Sequence, residues 1–217
     1  EFSKVESKIL EPALLLGLKG MLACMEKEFE SMHTFHKRAI ELSPDIDFVI
    51  NYSASLARAG LFHQAIILLK EHYDTDHSQR LCLIDLINMM FGVGYVKLGF
   101  EYSKQLNSEE LDRLLIDPQA FNEELNIIEQ YQISDKEIDL YGQAVDSVIE
   151  KNKTVTSRRR VNSVMVPDDN SFLELLIYIK DSADAAVSLG VEMCEKLASL
   201  PPLENMTSRV SVRFIPL

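Results

Sequence analysis

The chain has 217 residues, 47% hydrophobic and 26% charged, which suits a folded chain with a sizeable core and argues against wholesale disorder. No apolar run approaches the roughly 20 residues needed to cross a bilayer, so the expectation is a soluble, cytoplasmic protein with no membrane partner. A net charge of −12 repels phosphate backbones and argues against nucleic acid as the default partner. Three well-separated cysteines, Cys24, Cys82 and Cys194, suit a reducing compartment better than a disulfide framework, and each is expected to be a small core residue.

The first pattern along the chain is a repeat. Phe29, Met32, Phe35, Ala39, Ile40 and Leu42 recur at spacings of three and four and stop at Pro44, which predicts an amphipathic helix. Gly60, Phe62, Ala65, Leu68 and Leu69 repeat that pattern. Phe62 follows Phe29 by 33 residues, and a further 33 lead to Tyr95, with Leu98 and Tyr102 in the places of Ala65 and Leu69.

On these residues, positions 13–112 resemble the tetratricopeptide repeat family, whose unit is a helical hairpin of roughly 34 residues. The stretch Phe29 to Pro44 resembles that family's second helix and closing proline, and Ala57 to Ala65 its inter-helix turn. Gly20 and Ser53 match its small residue in the first helix. The pattern is degenerate: Met32 and Leu98 replace the usual alanine, Glu110 falls where a closing proline would, and Ile128 stands at the next aromatic step.

The resemblance implies a mainly α fold, an α-solenoid of about three hairpins whose concave side is lined by the first helices. That lining would be Met21, Cys24 and Met25, then Ile50, Asn51, Ala54, Ala57 and Arg58, then Leu83, Ile87, Met90 and Phe91. It is mostly apolar and methionine-rich. Beyond Arg58, Asn51 and Arg80 it offers little of the cationic and amide chemistry that the family's carboxylate clamps use. An amphipathic helix or apolar peptide fits it better, unless the chain's own later helices fill it.

Asp117 and Pro118 start a helix expected to reach about Gln130, and Ser134 with Glu137 forms a capping box for another. These two would cap the repeats. Beyond Lys151 the period changes to alternation. Val161 to Val166 and Phe172 to Lys180 read as strands joined by a turn at Pro167 to Asn170, with Leu173, Leu175, Ile177 and Ile179 on one face. A helix from about Ser182 to Leu200 carries Ala183, Ala186, Val187, Gly190, Val191, Cys194 and Leu197 as its apolar stripe. Pro201 and Pro202 end it, and Val210, Val212 and Phe214 form a last strand parallel to the second. The expected division is therefore a helical domain over 1–152 and a small α+β domain over 153–217.

Other candidate sites are weaker. Lys151, Lys153, Arg158, Arg159 and Arg160 form the only dense cationic run, read as a solvated linker or as an anion contact at Arg158 to Arg160. His33 and His36 lie three apart, too few for a zinc site, and read as surface histidines. Turn chemistry explains Asp168 and Asp169. Gly92, Gly94 and Gly99 match no phosphate loop, and no nucleophile motif is present, so neither catalysis nor a cofactor or metal is expected. The leading expectation is an adaptor or chaperone-like module that binds another protein. The alternatives are an acidic inhibitor of a basic enzyme or toxin and a regulator touching nucleic acid through 151–160, and self-association through the C-terminal part stays open.

Overall fold

The computed structural model describes residues 11–115, 118–154, 156–164, 172–200 and 209–217, with the side chains at 118, 120 and 157–163 outside that description. The chain is mainly helical, with a small sheet near its C-terminus. Among the described residues the first six helices form three pairs: α1 (Pro12–Met25) with α2 (Phe29–Leu42), α3 (Ile46–Ala59) with α4 (Phe62–Thr75), and α5 (Arg80–Gly92) with α6 (Val96–Ser103). First helices start at 12, 46 and 80 and second helices at 29, 62 and 96, so the pairs recur every 33 or 34 residues.

Two of the three phased aromatics share a structural position, and the third falls one residue short of it, where the other pairs have Glu28 and Leu61. Phe29 and Phe62 open α2 and α4, and Tyr95 is the N-terminal cap residue of α6. Each pair turns through a left-handed residue shortly before its second helix: Lys27 at φ 63°, Gly60 at φ 87° and Gly94 at φ 93°. Glycine adopts that conformation without strain, whereas Lys27 holds a side chain there.

Small residues let the first pair pack closely. Ala13, Gly17, Gly20 and Cys24 are buried along one side of α1. A Cβ at Gly20 would lie 2.5 Å from the His36 ring, and one at Gly17 would touch the Phe48 ring at 3.4 Å. The rest of α1 is nearly all aliphatic, so Leu14, Met21, Leu22 and Met25 stay exposed.

After the short α7 (Ser108–Leu111) come α8 (Pro118–Gln130) and α9 (Asp135–Asn152). The predicted capping box opens α9: the Glu137 amide donates to Ser134, and Glu137 accepts from the Ser134 amide at 2.9 Å. Asp117, expected to start α8, lies outside the described residues. Instead of extending the row of pairs, α9 folds back and packs on α4.

The sheet is β1 (Thr156–Val164), β2 (Phe172–Ile179) and β3 (Val210–Pro216), in that order. β1 and β2 are antiparallel, and β3 is parallel to β2 after α10 (Ala183–Ala198), which packs on β3 and α9. The turn expected at 167–170 falls outside the described residues. Leu173, Leu175, Ile177 and Ile179 are buried together, as their alternation predicts.

The stripe expected on α10 needs correction. Ala186, Leu189 and Met193 are buried, while Val187, Val191 and Cys194 face out. The helix meets both α9 and β3, and turning its larger Leu and Met side chains inward removes more apolar area from water. β1 packs against α3 and α5, and α8 against β1 and β2, so helices and sheet share one apolar core.

Candidate functional site

The Cys24 thiol donates to the Ser55 carbonyl at 3.2 Å, and Gly17 faces Phe48, so α1 and α3 run side by side in the same direction. This sets Met21 and Met25 level with the stretch from Asn51 to Arg58. Met21 is 43% exposed and Met25 64%, and Ala54 and Arg58 are exposed as well. Ile50, Asn51 and Ala57 are half-buried, and Cys24 is buried. Two pairs therefore present an accessible face of mixed methionine, small and cationic character.

The third pair does not extend it. Leu83, Ile87 and Met90 are each 0% exposed, which removes them from the expected lining. Phe91 is half-buried, with the Phe121 ring of α8 set edge-on at 5.3 Å, and Phe121 also meets Phe100 at 5.7 Å. The chain's own α8 and β1 take the place a partner would need. Arg80 is also used internally: it donates to both Glu110 carboxylate oxygens and, at 2.6 Å, to the Gln105 carbonyl. These bonds, with the Asn107 amide, hold the Glu110 carboxyl down to about 2.

A polar seam follows α9 across the starts of the second helices. Asp139 accepts from the Tyr95 hydroxyl at 3.1 Å, and that hydroxyl lies 2.9 Å from His63 Nδ1. One turn or more further on, Asp146 accepts from the Gln64 amide at 3.0 Å and so caps the N-terminal end of α4. Glu150 then meets His33 Nε2 and the Gln64 side chain, both at 3.3 Å. A cleft of about 420 Å³ lined by His63, Gln64, Gln143, Asp146, Ser147, Glu150 and Lys151 opens beside this seam. Asp139, Asp146 and Glu150 are helix-spaced acids in the sequence, where nothing distinguishes them from a solvated face.

The histidines also depart from expectation. His36 is fully buried, stacked on Tyr52 at 5.0 Å, with Nε2 2.9 Å from the Ser55 hydroxyl. Burial, reinforced by His33, pushes its pKa down to about 4. His33 is partly buried and holds the Tyr52 hydroxyl at 2.6 Å; burial and the nearby Glu150 push that phenol up to about 12. The two imidazoles thus share Tyr52, one stacking on its ring and the other meeting its hydroxyl. Among the described residues no three His, Cys, Asp or Glu side chains are grouped to hold a metal ion.

Arg158, Arg159 and Arg160 lie within β1 rather than in a linker, because hydrogen bonding to β2 continues through them. Among the described residues no helix is long and apolar enough to cross a membrane. Comparisons with protein-family models, curated proteins and solved structures give no match.

Proposed function

We propose that this chain is a protein-binding module built on tetratricopeptide-like hairpins, stacked as a short solenoid, and that it grips a partner polypeptide through the face of α1 and α3. The observation that supports the reading is the exposure of Met21 and Met25 beside Ala54 and Arg58, where Asn88 and Gly92, 34 residues further on in the third pair, are half-buried. Exposed methionines on adjoining helices suit an apolar or amphipathic partner helix, because the thioether chain repacks around irregular shapes. The role is that of an adaptor or chaperone-like protein of a reducing compartment such as the cytoplasm, without chemistry of its own.

Selection of helical peptides from a displayed library tests this. Selected peptides should lose at least tenfold in affinity against Met25→Asp, about 1.4 kcal/mol, and should be little affected by Val187→Asp. Their affinity should change little with salt, since apolar burial dominates. Peptides indifferent to Met21 and Met25, or binding whose on-rate collapses as salt rises, would replace the reading with that of an acidic inhibitor.

A further inference from the structure

The face shared by α1 and α3 has a direction. Along α3, Asp47, Asn51, Ala54 and Arg58 recur at helical spacing and form one row, with Asn51 half-buried and the other three exposed. Along α1 the same steps give Leu14, Leu18, Met21 and Met25; Leu18 is half-buried, and Leu14, Met21 and Met25 are 40%, 43% and 64% exposed. Gly17 against Phe48 and Cys24 against Ser55 fix the register of the two helices, and the helical period then turns both rows to the same side of the pair.

The α1 row is wholly apolar. The α3 row runs from a carboxylate at its start to a guanidinium at its end, about 16 Å away at the helical rise. Neither charge is used internally. Asp45 caps α3 by accepting from the Asp47 amide at 3.1 Å, and among the described residues the side chains of Asp47 and Arg58 have no hydrogen-bond or ion-pair partner. Burial raises the Cys24 thiol pKa and the Arg58 charge opposes that rise, which sets the guanidinium within electrostatic reach of α1. At the Arg58 end the exposed Glu26 and Lys27 are opposite in sign and add no net charge; at the other end Glu11 and Asp45 add to Asp47.

We propose, building on the assignment of α1 and α3 as the gripping face, that the partner helix runs antiparallel to both, with an acidic residue in its first turn against Arg58 and a basic residue in its last turn against Asp47. Helices favour acids at their N-terminal end and bases at their C-terminal end. Antiparallel placement matches both of those charges to α3, whereas parallel placement sets acid against Asp47 and base against Arg58. The antiparallel direction also brings the partner's N-terminal partial positive charge to the C-terminal ends of α1 and α3. An apolar stripe of the partner, at the spacing of Leu14 to Met25, covers the α1 row.

Two peptides of about three turns, each held helical by a covalent staple, provide the test. Both carry leucines at the spacing of the α1 row; one has Glu in its first turn and Lys in its last, and the other has the two exchanged. In titration calorimetry the Glu-first peptide should bind the native chain more tightly. With Asp47→Lys and Arg58→Glu together the order should reverse, changing the ratio of the two affinities by about tenfold or more, as two exposed charge pairs turn from attraction to repulsion. Asp47→Asn with Arg58→Gln should erase the preference, and replaces the exchanged variant if circular dichroism shows that variant unfolded. The preference should shrink as salt rises. Met21→Ala with Met25→Ala should weaken both peptides alike. A ratio that the charge exchange leaves unmoved, or a Lys-first peptide that binds the native chain more tightly, overturns the proposal and leaves the gripping face standing. Peptides that do not bind, or that ignore the methionine changes, overturn both. A native chain that sediments as a dimer, and that the methionine changes render monomeric, assigns the face to a second copy and overturns the proposal as well.

Discussion

The first two helical pairs and the third share a period and a turn geometry, yet their first helices meet different environments. In α1 and α3 the outer positions carry Met21, Met25, Ala54 and Arg58 at the surface; in α5 the residues 34 further on than Ala54 and Arg58 are Asn88 and Gly92, both half-buried, with Asn88 accepting from the Leu115 amide at 2.8 Å. The difference comes from outside the repeat. α8 brings Phe121 onto Phe91, and β1 packs against α5, so the last pair is completed intramolecularly while the first two are left uncovered. A repeat therefore specifies a scaffold, and the elements C-terminal to it decide how much of that scaffold is surface.

The sharpest way to break this comparison is to put one charge on each side of it. Ile87→Asp buries a carboxylate among apolar groups and should cost at least about 4 kcal/mol in urea unfolding. Met25→Asp, on an exposed rung, should stay within about 0.5 kcal/mol. Equal effects would mean that burial does not separate these two positions as described.

Acid should weaken the first two pairs specifically. His36 holds α2 against α3 in its neutral form, with a pKa of about 4 in the fold against 6.5 as a free side chain. Between those values the unfolded chain carries the extra proton, so stability is complete above pH 6.5 and declines as pH falls towards 4. The loss should be roughly 3 kcal/mol from this group. His36→Gln should flatten the dependence of melting temperature on pH across that window, and an unchanged slope would assign the loss to other groups. The smallest effect concerns the turns: Lys27→Gly should stabilise by about 0.5–1 kcal/mol in thermal melting, because Gly60 and Gly94 already relieve the same strain in the other two pairs.

Much of the local structure was legible. The 33-residue aromatic spacing predicted equivalent positions at the starts of α2 and α4 and missed that of α6 by one residue, and the Ser134 to Glu137 box predicted the start of α9. Strand alternation identified the inward face of β2. Of the candidate lining, Met21, Met25, Ala54 and Arg58 are accessible, whereas Leu83, Ile87 and Met90 are core, and their residue types are compatible with either place. Reading Arg158 to Arg160 as a linker missed β1, because charged polar residues carry little strand signal of their own and the pairing comes from β2.

Periodicity, turn glycines and capping boxes act over a few residues, so the amino-acid order alone determined where the helices and strands begin and which sides of them are apolar. Covering is a long-range matter. The return of α9 across the second helices, the burial of His36 and the closing of the third pair depend on contacts between residues as far apart as His33 and Glu150. Such contacts leave no periodic trace, because each partner is chosen by shape and charge in three dimensions and not by distance along the chain.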